Sequence, residues 1–231
     1  SILVSVLALI LWNQICKFQD AKHLANAYGQ IVEINGQKMV VDIQGNENET
    51  AIILLPGSAS ASPVLEFLPL AENLSKRYQV ITIEPFGYGL SDATNSSRDI
   101  HTVVEELHQC VSALGYERYY LMAHSLSGLY SLYWANTYPD EVLGFIGIDC
   151  SVPGQNKENP YPISITAINK IGAYLQKAAN FLGISRILSI GDPKKGLTAD
   201  HSYNYCDEQL KVYRILTLDR SYNKTVLREL N

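Results

Sequence analysis

The hydrophobic pattern of the chain changes period repeatedly between residues 30 and 150, and each change predicts a new element. Gln30 to Ile34 and Lys38 to Ile43 alternate apolar and polar residues on either side of Asn35-Gly36. That pair is suited to the positive φ angles of a two-residue hairpin turn. Ala51–Leu55, Tyr119–Leu121 and Val142–Ile148 are continuous runs without a polar residue, and Tyr78–Ile83 is apolar apart from Gln79 and Thr82, the pattern of strands buried on both faces. Between these runs the period becomes helical: a helix is expected from about Pro63 to Lys76 and another up to Leu114. The second carries Ile100, Val103, Val104, Leu107 and Val111 on one face and Asp99 as its N-cap. A third, from about Leu126 to Thr137, is stopped by Tyr138-Pro139. Regular alternation of strand and helix predicts an α/β domain with a mostly parallel, doubly wound sheet.

The alternation ends near Ser151. A link rich in Pro, Gly and Asn, from Val152 to Pro160, leads into a helical stretch with Ile165, Ile168, Tyr174, Leu175, Ala178 and Leu182 on one broad face. Further helices are expected near Asp207 to Leu218 and Lys224 to Leu230, so residues 151–231 read as a helical cap with apolar surface to lay over something. At the other end, Ile2 to Trp12 is continuously apolar apart from Ser5. It is shorter than the roughly 20 residues of a spanning helix but fits the end of one, with Trp12 at the interface. A signal-peptide core and a helix packed on the domain are the alternatives. Asn13 to Tyr28 reads as a polar connector of mixed charge, expected to be helical. The expected organisation is an N-terminal segment and connector (1–28), a core with six strands (29–150) and a cap insertion (151–231). The anchored protein is expected to carry its domain on the extracytoplasmic side.

Composition narrows the functions. With 231 residues, 47% of them hydrophobic, the chain can build a substantial core. A net charge of -5 gives no footprint for nucleic acid. Cys16, Cys110, Cys150 and Cys206 lack any C-x-x-C spacing and read as free thiols, so neither a metal site nor a disulfide framework is expected. Gly87-Tyr88-Gly89 lacks the third glycine of a dinucleotide fingerprint and is expected to form a tight loop; no cofactor is implied.

One stretch carries candidate chemistry. In Ala123-His124-Ser125-Leu126-Ser127-Gly128 a serine stands between small residues where an apolar strand gives way to a helix, a loose form of the G-x-S-x-G turn that raises a nucleophilic hydroxyl above a sheet. Pro56-Gly57-Ser58-Ala59-Ser60, after an earlier strand, is a loop of small residues whose backbone N–H groups could face a ligand.

Taken in order, the Pro56-Gly57-Ser58 loop, the Gly87-Tyr88-Gly89-Leu90-Ser91-Asp92 loop, Ala123 to Gly128 and Tyr138-Pro139 before the sixth strand resemble the α/β-hydrolase fold family, in particular capped serine hydrolases with an N-terminal membrane segment. The match covers Gly29 to about Pro153 in detail. It implies Ser125 as nucleophile and the backbone N–H groups of Ser58 and Leu126 as oxyanion hole. The substrate would be a small ester or amide with a hydrophobic portion, attacked through an acyl-enzyme without a metal or cofactor. His124 is read as structural, and His101 and His108 as surface or packing residues. Pro56 stands where the family commonly has histidine, and Ala123 and Ser127 where it has glycine.

The family order is Ser, acid, His, with the last two after the cap. Only His201, beside Asp200, follows Ser125, and it reads as a surface residue. Asp149, ending the sixth strand, is a possible acid. The expectation is therefore an incomplete, inactive copy whose last two strands, acid and histidine lie beyond Asn231. The competing reading is a non-catalytic α/β-hydrolase-like binding or scaffold protein.

Overall fold

The computed structural model describes residues 1–25, 27–46, 49–155, 163–188, 193–197 and 202–229. His201 and Asp200 lie outside the described residues. The chain opens with helix α1 (Ile2–Leu24), followed by the hairpin β1 (Gln30–Ile34) and β2 (Gln37–Gln44). Then come β3 (Ala51–Leu55), α2 (Pro63–Leu74), β4 (Gln79–Glu84), α3 (Ile100–Ala113), β5 (Tyr119–His124), α4 (Ser127–Thr137) and β6 (Val142–Ile148). The remaining described elements are helices: α5 (Ile163–Leu182), α6 (Ile184–Leu188), α7 (Lys194–Leu197), α8 (Asp207–Asp219) and α9 (Lys224–Glu229).

Six strands form one sheet in the order β1-β2-β4-β3-β5-β6. β1 and β2 pair antiparallel, as does β2 with β4, and the remaining pairs are parallel. The hairpin turns where expected, with Asn35 and Gly36 both at positive φ. Alternate residues of β3 serve opposite faces. Ile53 and Leu55 join Val103, Leu107 and Val111 of α3 and Trp134 of α4, while Ile52 and Leu54 join Ala71 of α2. Helices on both faces explain why β3 and β4 are buried along their whole length. β6 lies at the sheet edge and leaves Leu143 and Ile146 exposed.

Helix starts follow side-chain chemistry. Ser62 caps α2 through Leu65 N–H, with Pro63 at the first helical position, where its missing N–H costs nothing. Asp99 caps α3 through Thr102 N–H at 2.9 Å. At the N-terminus the connector is helical as far as Leu24, and the polar segment Asn13–Leu24 continues the apolar helix without a break. α1 is thus long and apolar enough to cross a membrane by length and composition, with mean hydropathy 1.6 over its best window. Its polar residues continue as helix because they have partners on the cap: Asn13, Lys17 and Asp20 contact α5, α6 and α8.

Candidate active site

β5 ends at His124 and α4 begins at Ser127, leaving two residues to turn the chain. Ser125 makes the turn with φ +52°, a left-handed conformation costly for a residue with a Cβ. Its backbone is held from both sides. The N–H donates to Ile148 O at 3.2 Å, and the carbonyl accepts from Gly128 N–H at 3.0 Å and Ser151 N–H at 2.9 Å. The segment after β6 therefore braces the turn. Gly128 permits that closeness, since a Cβ there would lie 2.5 Å from the Cys150 Cβ and 2.8 Å from its Sγ.

The second part of the site is the loop after β3. Ser127 Oγ donates to the Pro56 carbonyl, tying the first turn of α4 to that loop. Gly57 lies so near the serine turn that a Cβ on it would stand 2.6 Å from His124 Nδ1 and 3.2 Å from the Ser125 Cβ. Among the described residues the backbone N–H groups of Ser58 and Leu126 have no hydrogen-bond partner, and neither does the Ser125 hydroxyl. Ser58 Oγ is buried and also unpaired. A cavity of about 350 Å³ borders this loop, lined by Ser58, Ala59, His124, Glu66 and, from the cap, Tyr213 and Tyr222. His124, read from the sequence as structural, is half-buried and faces this cavity. Asp149 follows β6 at φ +47° and is exposed, with no partner among the described residues. No group of three or more His, Cys, Asp or Glu suited to a metal ion occurs among the described residues.

Beneath the loop lies a polar cluster that sequence reasoning did not identify. Glu84, the last residue of β4, is fully buried, and burial pushes its carboxyl up to about 7. It accepts from Tyr28 Oη at 2.9 Å, from Leu90 N–H at 2.6 Å and from Val64 N–H at 3.4 Å. Gly89, at φ +47°, is required because any Cβ there would collide with this carboxylate. Glu66, also raised by burial, accepts from Ser60 Oγ at 2.6 Å and from Ala61 N–H at 3.0 Å, so it pins the far end of the Pro56–Ser60 loop. From the cap, Glu229 accepts hydrogen bonds from Tyr88 and Tyr130, and the Tyr88 hydroxyl also receives Ala59 N–H at 3.3 Å. A glutamate directly after a β-strand and before Pro-x-Gly-x-Gly was the available signal for Glu84. Nothing in the sequence pattern pointed to Glu66 or Glu229.

A six-stranded mixed sheet with a strand–serine–helix turn and a small-residue loop beside it defines the α/β-hydrolase class of folds. Comparison with known proteins agrees: residues 50–174, just over half of the chain, match the family model described as alpha/beta hydrolase fold, and the chain belongs to that family. It is similar to the uncharacterized protein YbdG of Bacillus subtilis (strain 168), with 32% identity over 162 residues, 67% of this chain and 50% of that one. It is also similar to the 2-(acetamidomethylene)succinate hydrolase of Mesorhizobium japonicum, with 26% identity over 112 residues, 48% of this chain and 40% of the other. Among solved structures, Cfl2 from Burkholderia cenocepacia superposes with a TM-score of 0.62 at 18% identity, covering 80% of this chain and 64% of that one. The chain spans half or less of the length of these curated relatives.

Proposed function

We propose that the protein is a serine hydrolase acting on an ester or amide with a hydrophobic portion, with Ser125 as nucleophile. The observation that carries this reading is the pair of N–H groups, of Ser58 and Leu126, without a partner among the described residues and belonging to two segments that meet at a serine held at φ +52°. Backbone donors left free beside a strained serine fit an oxyanion hole, where the loss of one donor costs about 3 kcal/mol of transition-state stabilisation. The Ser125 oxygen attacks the carbonyl carbon and gives its proton to a general base. The tetrahedral oxyanion rests on the two N–H groups, the bond to the leaving alcohol or amine breaks as that group takes a proton, and water then releases the acyl group. Family order assigns acid and base to positions after the cap. The hydrolase name of the Mesorhizobium relative supports hydrolysis as the reaction class.

The test is labelling by a fluorophosphonate probe of the whole protein as its gene encodes it, compared with Ser125→Ala. Labelling that disappears in the variant supports the assignment. Labelling retained in the variant removes Ser125 as nucleophile, and no labelling of either protein favours a binding or scaffold role.

A further inference from the structure

The cap carries an inverted helix. On α5 the residues that face the protein are Ala173 and Asn180, buried and seven positions apart, hence on one side of the helix. Ile168, Ile171 and Leu175 project to the opposite side, with Tyr174 and Phe181 on the flank about 100° from the buried pair. Ile168, Ile171, Tyr174, Leu175 and Phe181 are each more than half exposed, and Leu188 of α6 is 71% exposed. The stripe expected from the sequence to lie over something is therefore turned outward, and no other described segment covers it. An outward apolar stripe of this size marks a contact surface.

What covers it is indicated by its neighbour. Asn13 of α1, 1% exposed, donates to the carbonyls of Asn180 at 2.9 Å and Phe181 at 3.1 Å. Arg186 of α6 joins Asn13 Oδ1 at 3.2 Å, Asp20 at 2.6 Å and Asp219 of α8 at 3.1 Å. Gly183, where a Cβ would lie 2.9 Å from the Asn13 Cβ, allows the helices to meet. This clamp grips α1 in its middle. On the N-terminal side of Asn13 the membrane-length helix leaves Ile2, Leu3, Val4, Leu7 and Leu11 exposed. Two outward apolar surfaces thus belong to helices locked together at one polar joint. From 163 to 188 there is no acidic residue, and Lys170 and Lys177 border the stripe on the side of Tyr174 and Phe181.

We infer that the outer face of α5 and α6 is a lipid-docking surface that lies on an anionic bilayer beside α1, so that the cap and not only the N-terminal helix touches the membrane. The inference does not depend on the chemistry assigned to Ser125. Basic residues bordering an apolar helix face are the arrangement by which interfacial helices bind anionic lipid. The joint also reaches the cavity, because Asp219 ends α8, the helix that carries Tyr213.

The test uses the whole protein in phosphatidylcholine/phosphatidylglycerol vesicles containing brominated acyl chains. In a Trp12→Phe background the remaining Trp134 is fully buried in the core and serves as the folding reference. Adding Leu175→Trp should give blue-shifted emission, quenched by the brominated lipid as strongly as native Trp12, whereas Asn136→Trp on the exposed side of α4 should not be quenched. Lys170→Glu with Lys177→Glu should lower the quenching at residue 175 in anionic vesicles and, made in the protein that keeps Trp12 and Leu175, leave that of Trp12 unchanged. Solvent-like emission at residue 175, with Trp12 quenched, would overturn the inference in favour of α1 as sole lipid contact. Blue-shifted emission without lipid quenching would overturn it in favour of a protein partner, such as a second copy of the chain.

Discussion

Ser127 donates its hydroxyl hydrogen to the carbonyl of Pro56, so the residue that replaces a glycine of the serine turn fastens the neighbouring loop to α4. Both residues depart from the common family pattern, and the departures are partners. The Pro56 carbonyl is thereby committed, while the N–H of Ser58, two residues on, has no partner among the described residues. Ser127→Ala should cost about 1 kcal/mol of stability, the usual net value of one such bond. Urea denaturation measures it, and an unchanged midpoint would mean that the bond contributes nothing.

Strain at Ser125 predicts a trade. A non-glycine residue in the left-handed region costs about 1 kcal/mol or more, and glycine relieves it. Ser125→Gly should therefore raise the denaturation midpoint slightly while abolishing fluorophosphonate labelling of the whole protein. A glycine variant less stable than the parent would show that the turn is not strained.

Gly128 is the point at which the segment after β6 closes on α4. A methyl group there must displace Cys150, whose thiol donates to Ala123 O at 2.9 Å. Overpacking of this kind costs about 1–3 kcal/mol. Gly128→Ala should lose that much in thermal or urea unfolding, and the double variant with Cys150→Ala should recover part of it, since the two residues compete for one space.

The buried Glu84 makes stability depend on pH. Burial raises its folded pKa to about 7, above the ordinary carboxylate value. The folded state then binds the proton more tightly than the unfolded chain, so the contribution is fully present below the unfolded pKa and is lost as pH rises through about 7. Tyr28 and Glu66 face the same group, and the nearby Glu66 carboxylate raises its pKa further. Urea midpoints measured from pH 5 to pH 8 should fall with rising pH in the parent. Replacing the carboxyl by an amide in Glu84→Gln should flatten that slope. An equal slope in both proteins would place the titrating group elsewhere.

The order of strands and helices was legible in the sequence because strand burial and helix amphipathicity are local periodicities, written in residues such as Ile52 to Leu55 and Val103 to Val111. Asp99 and Asn35-Gly36 fixed element ends for the same reason: a cap or turn is satisfied within three residues. The serine turn was legible as a pattern of small residues, and the loop after Pro56 likewise.

Long-range pairings were not legible. Asn13 reads as the start of a helical polar connector, and its bonds to Asn180, Phe181 and Arg186, more than 160 positions away, could not be read from it. Glu84 reads as a strand end until Tyr28, Val64 and Leu90 are seen to enclose it. The sequence alone determined that α5 has an apolar stripe, since that follows from residue spacing. Which way the stripe faces was decided only by tertiary structure, because Asn13 bonds the carbonyls of Asn180 and Phe181 and α5 buries Ala173 and Asn180, which leaves Leu175 outward.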